Sequence, residues 1–259
     1  TGQDGAYLAK LLLDKGYEVH GTLRRNSQEE TTRLNLLNVL DDVLLHNIDL
    51  AEIGSIFRLL KKYNFDEIYN LAAQSFVGSS WDTPLTVSNV NAMGPLRILD
   101  TIVSLCPETK FYQASTSEMF GLVREMPQRE TTPFYPRSPY GVAKLFAHAM
   151  TVNYRESHGL FACSGILFNH ESPLRGPEFV TKKICATLAR ILKGSDEIGQ
   201  LGNLAAKRDW GYAADYVEGM WAMLNHSEPD DYVLATGHTV SIRDFITHCT
   251  EASSLDIEF

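Results

Sequence analysis

Tyr140-Gly141-Val142-Ala143-Lys144 sets a phenol and an amine four residues apart, and Ser115-Thr116-Ser117-Glu118 lies upstream of it. If Tyr140 begins a helix, Lys144 stands one turn further on and on the same face. Its charge would lower the phenol pKa from about 10 and help Tyr140 act as a base near neutrality. Thr116, at the end of a preceding strand, can hydrogen-bond the same hydroxyl. Glu118 adds a carboxylate at the carboxyl edge of a sheet, a second group able to carry a proton. The four-residue spacing alone is weak evidence; its place at the start of a helix gives it weight.

A second group could hold an anionic ligand. Thr1-Gly2-Gln3-Asp4-Gly5 is a glycine-containing turn before a helical pattern. Thr1, Gly2, Asp4 and Gly5 would let backbone amides approach a pyrophosphate at the positive end of a helix. A tight helix-entry turn with no ligand looks similar, and a full GxxGxxG would need a glycine before Thr1. The next strand ends in Arg24, Arg25, Asn26 and Ser27, where an NAD enzyme usually carries an acid for the ribose hydroxyl. Two guanidiniums and a hydroxyl suit a 2′-phosphate, so the expected cofactor is NADP; the alternative is a solvated basic loop. Asp49 and Leu50 follow one strand, and Leu71, Ala72, Ala73, Gln74 and Ser75 follow another. Ligands of open α/β sheets bind at such carboxyl ends. On their own, Ala72 and Ala73 read as helix–sheet packing.

These groups need elements to place them. Leu8, Leu11 and Leu12 recur at helical spacing before Gly16, and residues 17–24 alternate as a strand. Further strands are expected at 43–50, 65–73, 110–115 and 161–168, and helices at 52–63, 86–105 and 139–158. Ile53, Ile56, Phe57 and Leu60 form the apolar stripe of the 52–63 helix. Strands alternating with helices mean βαβ units and a doubly wound parallel sheet, a Rossmann fold. Beyond residue 170 the pattern loosens, with helices expected at 179–194, 215–226 and 241–252 and strands near 197–202 and 232–236. The expected division is a dinucleotide-binding domain over 1–168 and a smaller substrate-binding lobe over 169–259, with a segment near 205–240 returning to the main sheet. Val217, Met220, Trp221 and Leu224 read as helical core, and Trp210 and Tyr212 as packing. The opening directly on a turn, and a close on what looks like a new strand, read as truncation at both ends.

The chain of 259 residues is 44% hydrophobic and 10% aromatic, so it can bury a core and is not disordered. A net charge of −9 argues against a nucleic-acid partner. No apolar run approaches the roughly 18 residues that span a bilayer. Cys106, Cys163, Cys185 and Cys249 show no CxxC spacing, and no HExxH is present, so no metal site is expected. Such cysteines read as reduced thiols of a cytoplasmic protein.

The blocks TGQDG, RRNS, NLAAQS, FYQASTSEMFG, FYPRSPYGVAK, ILFNHESPLRG and GNLAAKRDWG resemble the GDP-mannose 4,6-dehydratases, within the extended short-chain dehydrogenase/reductases. The resemblance covers nearly the whole chain; residues 76–93 follow the best-known members less closely. It implies Thr116, Glu118, Tyr140 and Lys144 as the catalytic set. Tyr140 would take the proton of the sugar 4-hydroxyl, Thr116 would hold that oxygen, and Lys144 would bind the nicotinamide ribose. Glu118 would remove the C5 proton once a 4-keto group has acidified it. His170 and Arg175 match positions that touch the cofactor. Ser117, Asn169, Lys183 and Arg208 are the candidates for a GDP-sugar substrate. The resemblance also implies a homodimer or homotetramer, with the 24–33 loop reaching a neighbouring subunit. A 4-reductase or 4-epimerase would need Tyr140 and Lys144 but not Glu118; a non-catalytic NADP-binding regulator would need none of the four.

Overall fold

The computed structural model describes residues 1–24, 31–196 and 198–253. It opens with α1 (Gln3–Asp14), followed by β1 (Val19–Leu23), α2 (Thr32–Leu36), β2 (Val43–Asn47), α3 (Ile53–Lys62) and β3 (Glu67–Asn70). Next come α4 (Pro84–Asn91), α5 (Met93–Leu105), β4 (Lys110–Thr116), α6 (Pro139–His158), β5 (Ala162–Leu167) and β6 (Asn169–Glu171). The chain then adds α7 (Val180–Leu192), β7 (Lys207–Tyr212), α8 (Ala213–Leu224), β8 (Asp231–Leu234), β9 (Thr239–Ser241) and α9 (Ile242–Ser253).

Strands β3-β4-β5-β8 form a parallel sheet in that order, and β1 pairs in parallel with β2. This is the doubly wound α/β class that the alternation of strands and helices demands. β4 shows how the two faces are covered. Tyr112 and Ala114 join one core with Ala6 and Leu12 of α1 and Met220 of α8, while Phe111 joins another with Ile56 of α3 and Leu99 of α5. Alternate side chains of a strand point to opposite faces, so one strand feeds both cores. A third, three-stranded sheet runs β6-β7-β9, with β7 and β9 antiparallel.

Several expectations need correcting. The helix expected at 86–105 is two helices meeting at Ala92. Pro95 has no N–H to give the Asn91 carbonyl and its ring would crowd that oxygen, so one continuous helix is blocked. The strand expected at 65–73 ends at Asn70, because only Glu67–Asn70 finds a register on β4. The apolar run 161–168 makes β5, breaks at Phe168 and resumes as β6 on a different partner, Trp210–Tyr212 of β7. No strand occupies the described residues of 197–202. On α3 only Ile56 and Leu60 are buried; Ile53 and Phe57 stay largely exposed. Val217, Met220 and Leu224 are core as expected, and Trp221 packs at its edge with its ring N–H on the Tyr17 hydroxyl (3.0 Å). Trp210 packs against Phe245, whereas Tyr212 is about half exposed, edge-on to Tyr7. Among the described residues no helix is long and apolar enough to cross a membrane, and no cluster of three His, Cys, Asp or Glu side chains could hold a metal ion.

Candidate active site

β4 delivers Thr116 to the carboxyl edge of the sheet, and the chain then makes one 3-10 turn over Ser117–Met119. The Thr116 hydroxyl caps that turn by accepting the Glu118 amide at 3.2 Å. Met119 and Phe120 are fully buried behind it and anchor Glu118 at the surface of a cleft. α6 begins where Ser138 accepts the Gly141 amide (3.0 Å) and Pro139 occupies the first turn. Proline is tolerated there because its missing N–H would have had no helical partner. A Cβ on Gly141 would lie 2.8 Å from the Glu118 carbonyl, so glycine lets the helix seat on the 117–119 turn. Tyr140 and Lys144 follow on one face, both buried.

Burial adds an effect that the sequence-based expectation did not weigh. Tyr140 is pushed up to about 12: burial dominates, Thr116 and Arg175 pull it down, and Glu118 and Asp4 push it up. Lys144 stands one turn further along the same helix face. Its ammonium sits 5.9 Å from the Tyr140 ring centroid and donates to the Ala114 carbonyl at 2.7 Å. Burial lowers Lys144 itself to about 8, against an upward pull from Asp4. Desolvation therefore exceeds charge pairing at both groups.

The glycine turn faces this set across the cleft. Gly2 caps α1 without a side-chain bond, and open space lies beside Gly2 and Gly5 where a Cβ would project. Asp4, in the first turn, pairs with His170 at 2.9 Å. The other His170 ring nitrogen lies 2.8 Å from the Phe168 carbonyl, which can only accept. With a carboxylate on one nitrogen and a carbonyl on the other, both nitrogens face acceptors, an arrangement that favours the imidazolium. Burial works to lower His170, yet Asp4 and Phe168 outweigh it and its pKa is raised. Burial works to raise Asp4, but His170 and Gln3 hold it below its ordinary value. Gln3 completes this clasp by donating to the His170 carbonyl (3.2 Å) and accepting the Ser172 hydroxyl (2.8 Å).

One opening of about 1970 Å³, which also runs down between β1 and β3 past Leu12, Tyr17 and Tyr63, is lined by the expected residues. Thr1, Gly2, Asp4, Gly5, Arg24, Asp49, Leu50 and Leu71–Ser75 line it, as do Thr116, Ser117, Glu118, Tyr140 and Lys144. Asn169, His170, Arg175, Lys183 and Arg208 close the other side. Arg25, Asn26 and Ser27 lie outside the described residues. Ala72 is exposed to the cleft, so the packing reading fails for it. Lys183 and Arg208 stand exposed at the rim, donating to the carbonyls of Gln200 and Lys207, both at 2.7 Å. Arg33, expected near a neighbouring subunit, donates to the Leu174 carbonyl of its own chain at 2.8 Å.

Other lining or supporting residues were not foreseen. Asn91 clamps the Gln74 backbone from both sides, accepting its N–H (2.9 Å) and donating to its carbonyl (3.0 Å). The Arg175 guanidinium stacks 3.6 Å from the Phe179 ring, which meets Phe76 edge-on. Nothing local marks Gln3, Asn91 or Phe179, because each acts through a partner distant in sequence.

The family model for GDP-mannose 4,6 dehydratase matches residues 1–259. A GDP-mannose 4,6-dehydratase of Yersinia enterocolitica is 51% identical over 266 residues, covering all of this chain and 72% of the relative. The human GDP-mannose 4,6 dehydratase is 52% identical over 254 residues, covering 95% of this chain and 68% of its own. Among solved structures, the UDP-glucose 4-epimerase of Thermotoga maritima with UDP-glucose superimposes with a TM-score of 0.88 at 22% identity, covering 99% of this chain and 81% of that one. A dTDP-glucose 4,6-dehydratase of Streptomyces venezuelae with NAD bound gives 0.86 at 21% identity, covering 98% and 79%. A Pseudomonas aeruginosa protein called RMD, complexed with NADPH, gives 0.79 at 24%, covering 86% and 80%. Those structures share the fold; the sequence relatives share about half of the residues along the aligned length, and on that ground, with the family model spanning the chain, the chain belongs to the GDP-mannose 4,6-dehydratase family.

Proposed function

We propose that this chain converts GDP-mannose to GDP-4-keto-6-deoxy-mannose, a hydro-lyase reaction run through an internal oxidation and reduction. The observation that carries the reading is the placing of Glu118 in one cleft with Thr116, Tyr140 and Lys144. An epimerase or reductase has no use for that carboxylate, and a regulator has no use for the set.

A nicotinamide dinucleotide fits the cleft. The open space beside Gly2 and Gly5, at an uncapped helix N-terminus, admits a pyrophosphate to the backbone amides. Thr1, Gly2, Asp4, Gly5, Asp49, Leu50 and Leu71–Ser75 would hold it, with His170 and Arg175 from the other side. Arg24, exposed at the end of β1, together with Arg25, Asn26 and Ser27, favours NADP. When bound, NADP supplies hydride acceptance from sugar C4 and hydride return to C6. Tyr140 takes the 4-hydroxyl proton, which needs its phenol brought well below 12; Thr116 and Arg175 already act in that direction. Thr116 holds the 4-oxygen. The 4-keto group acidifies the C5 hydrogen, Glu118 removes that proton and passes it to the C6 hydroxyl, which leaves as water, and after hydride returns to C6 a proton from solvent is added at C5. Ser117 and Asn169 line the sugar side, and Lys183 and Arg208 at the rim face the diphosphate.

We further assign residues 1–168 to cofactor binding and 169–259 mainly to the sugar nucleotide, with β8 returning to the main sheet. Four free thiols suit a reducing compartment such as the cytoplasm. Helices α4, α5 and α6 expose Leu85, Met93, Val142 and Phe146, which supports a homodimer or homotetramer. Mass spectrometry of GDP-mannose after incubation with the protein tests the reading: loss of one water from the sugar nucleotide is expected, and unchanged mass overturns it. A parallel screen of dTDP-, UDP- and CDP-sugars tests the base. Replacing Arg24 and Arg25 with Ala should weaken NADP binding far more than NAD binding; equal losses would contradict the NADP assignment.

A further inference from the structure

His148 is buried on α6 one turn beyond Lys144, and none of the steps above uses it. One ring nitrogen, Nδ1, lies 3.3 Å from the Ser115 hydroxyl. The other, Nε2, faces Asp231 of β8 at 3.9 Å, too far for a hydrogen bond but close enough to favour a hydrogen on that nitrogen. Nδ1 then carries the lone pair and accepts from Ser115. Asp231 is held by both arms of Arg155 (3.2 and 3.0 Å), and Arg155 also donates to the Ala162 carbonyl at 2.9 Å. Phe134 closes the ring from the side, T-shaped at 5.2 Å. Burial lowers the His148 pKa against the pull of Asp231, with Arg155 adding to the lowering, and this favours the neutral ring that can accept.

Ser115 is the residue between the two attachment points of the catalytic pair. Ala114 before it accepts the Lys144 ammonium, and Thr116 after it serves Tyr140. A hydroxyl buried here with no partner would cost free energy and leave the strand end less defined. We infer that His148, through Ser115, is a positioning residue: it fixes the end of β4 so that the Ala114 carbonyl and the Thr116 hydroxyl meet Lys144 and Tyr140 in register along α6. The bland alternative is a histidine that merely fills core beneath Phe134.

The inference rests on the proposed dehydration, and two readouts keep the failure of either one distinct. Ser115→Ala, His148→Ala, the double variant and His148→Asn are compared with the unaltered chain. In steady state on GDP-mannose, each Ala variant should lose about tenfold in kcat with KM within about twofold, since misplacement by about an ångström is felt in the chemical step. The double variant should be no worse than either single, because both break one link. Asparagine keeps an acceptor near the position of Nδ1, so His148→Asn should recover to within about threefold of the unaltered kcat. Ser115→Ala removes one oxygen only, so it remains informative if His148→Ala fails to fold. The second readout needs no turnover: the NMR titration of 13Cε-labelled Lys144. Loss of its well-placed carbonyl acceptor should lower the Lys144 midpoint by about half a pH unit in Ser115→Ala, since that bond favours the charged form. Unchanged kcat in Ser115→Ala, multiplying losses in the double variant, or an unmoved Lys144 midpoint would each overturn the inference. If the unaltered chain does not dehydrate GDP-mannose, the functional reading falls, and the Lys144 titration alone decides the role of His148.

Discussion

Tyr140 and Glu118 stand at opposite ends of the proposed chemistry, and two conservative substitutions separate them. Glu118→Gln keeps the shape but removes the carboxylate, so oxidation at C4 should survive while water loss slows by about 10²–10⁴-fold. Single-turnover absorbance should then show reduced cofactor persisting, with little solvent deuterium entering C5. Tyr140→Phe should suppress the first step, so no such absorbance appears. Normal elimination and normal C5 labelling in Glu118→Gln would remove Glu118 as the base. The Asp4–His170 pair has a defined pH window. Asp4 is lowered from 3.8, so its contribution is present above that value and fades as pH falls through its lower folded pKa. His170 is raised from 6.5, so its contribution is full below 6.5 and is lost as pH rises through its higher folded pKa. His170→Asn should therefore destabilise the chain most between those limits, by about 3 kcal/mol, the lower end for a buried pair that loses one partner. Urea unfolding at several pH values checks this; a loss independent of pH would mean the pair contributes packing alone. Tyr140, Lys144, Thr116 and Glu118 were legible as residues because their types and spacing are local. The direction of the Tyr140 shift was not, because burial is a property of the folded surroundings.

At the scale of elements, α6 was the most legible part of the site. Ser138-Pro139 and Gly159 mark its two ends, and the helix runs from Pro139 to His158 between them. Ser138→Ala should cost about 1 kcal/mol through the lost cap, seen as a lower midpoint in thermal unfolding. Gly141→Ala should do something different. Its Cβ would lie 2.8 Å from the Glu118 carbonyl, so the turn and the helix must separate. A loss of kcat of about 10²-fold, greater than any change in KM for GDP-mannose, is expected; near-normal kcat would show that the 117–119 turn can shift without consequence. The break at Ala92 was hidden because the apolar pattern carries on through it, while the cause is one proline ring against one carbonyl. The short β6, β7 and β9 were hidden for another reason: three to six residues offer too little alternation to stand out, and their pairing partners lie far away in sequence.

At the scale of the molecule, the cleft is walled by segments that fold back on the sheet from both ends of the chain, and its oligomeric state can be tested apart from its chemistry. Val142 and Phe146 lie one turn apart on α6, and both are exposed. Light scattering at micromolar concentration should find a dimer or tetramer, and Val142→Asp with Phe146→Asp should reduce it to monomers. A monomeric unaltered chain with full activity would refute the assembly.

The amino-acid sequence by itself determined the alternating α/β class, the family, and which side chains are candidates for the chemistry. Helical and strand periods, caps and catalytic spacings are relations among residues a few positions apart, so they can be read along the chain. Tertiary structure alone decided that Asp4 and His170, 166 positions apart, share a proton-rich contact, and that Gln3 joins them. It decided that Lys144 bonds the Ala114 carbonyl, 30 positions away in sequence. It also placed Asn91 behind Gln74, and His148 behind Ser115. Each is a contact whose strength depends on burial and distance, and neither quantity exists until the chain has folded.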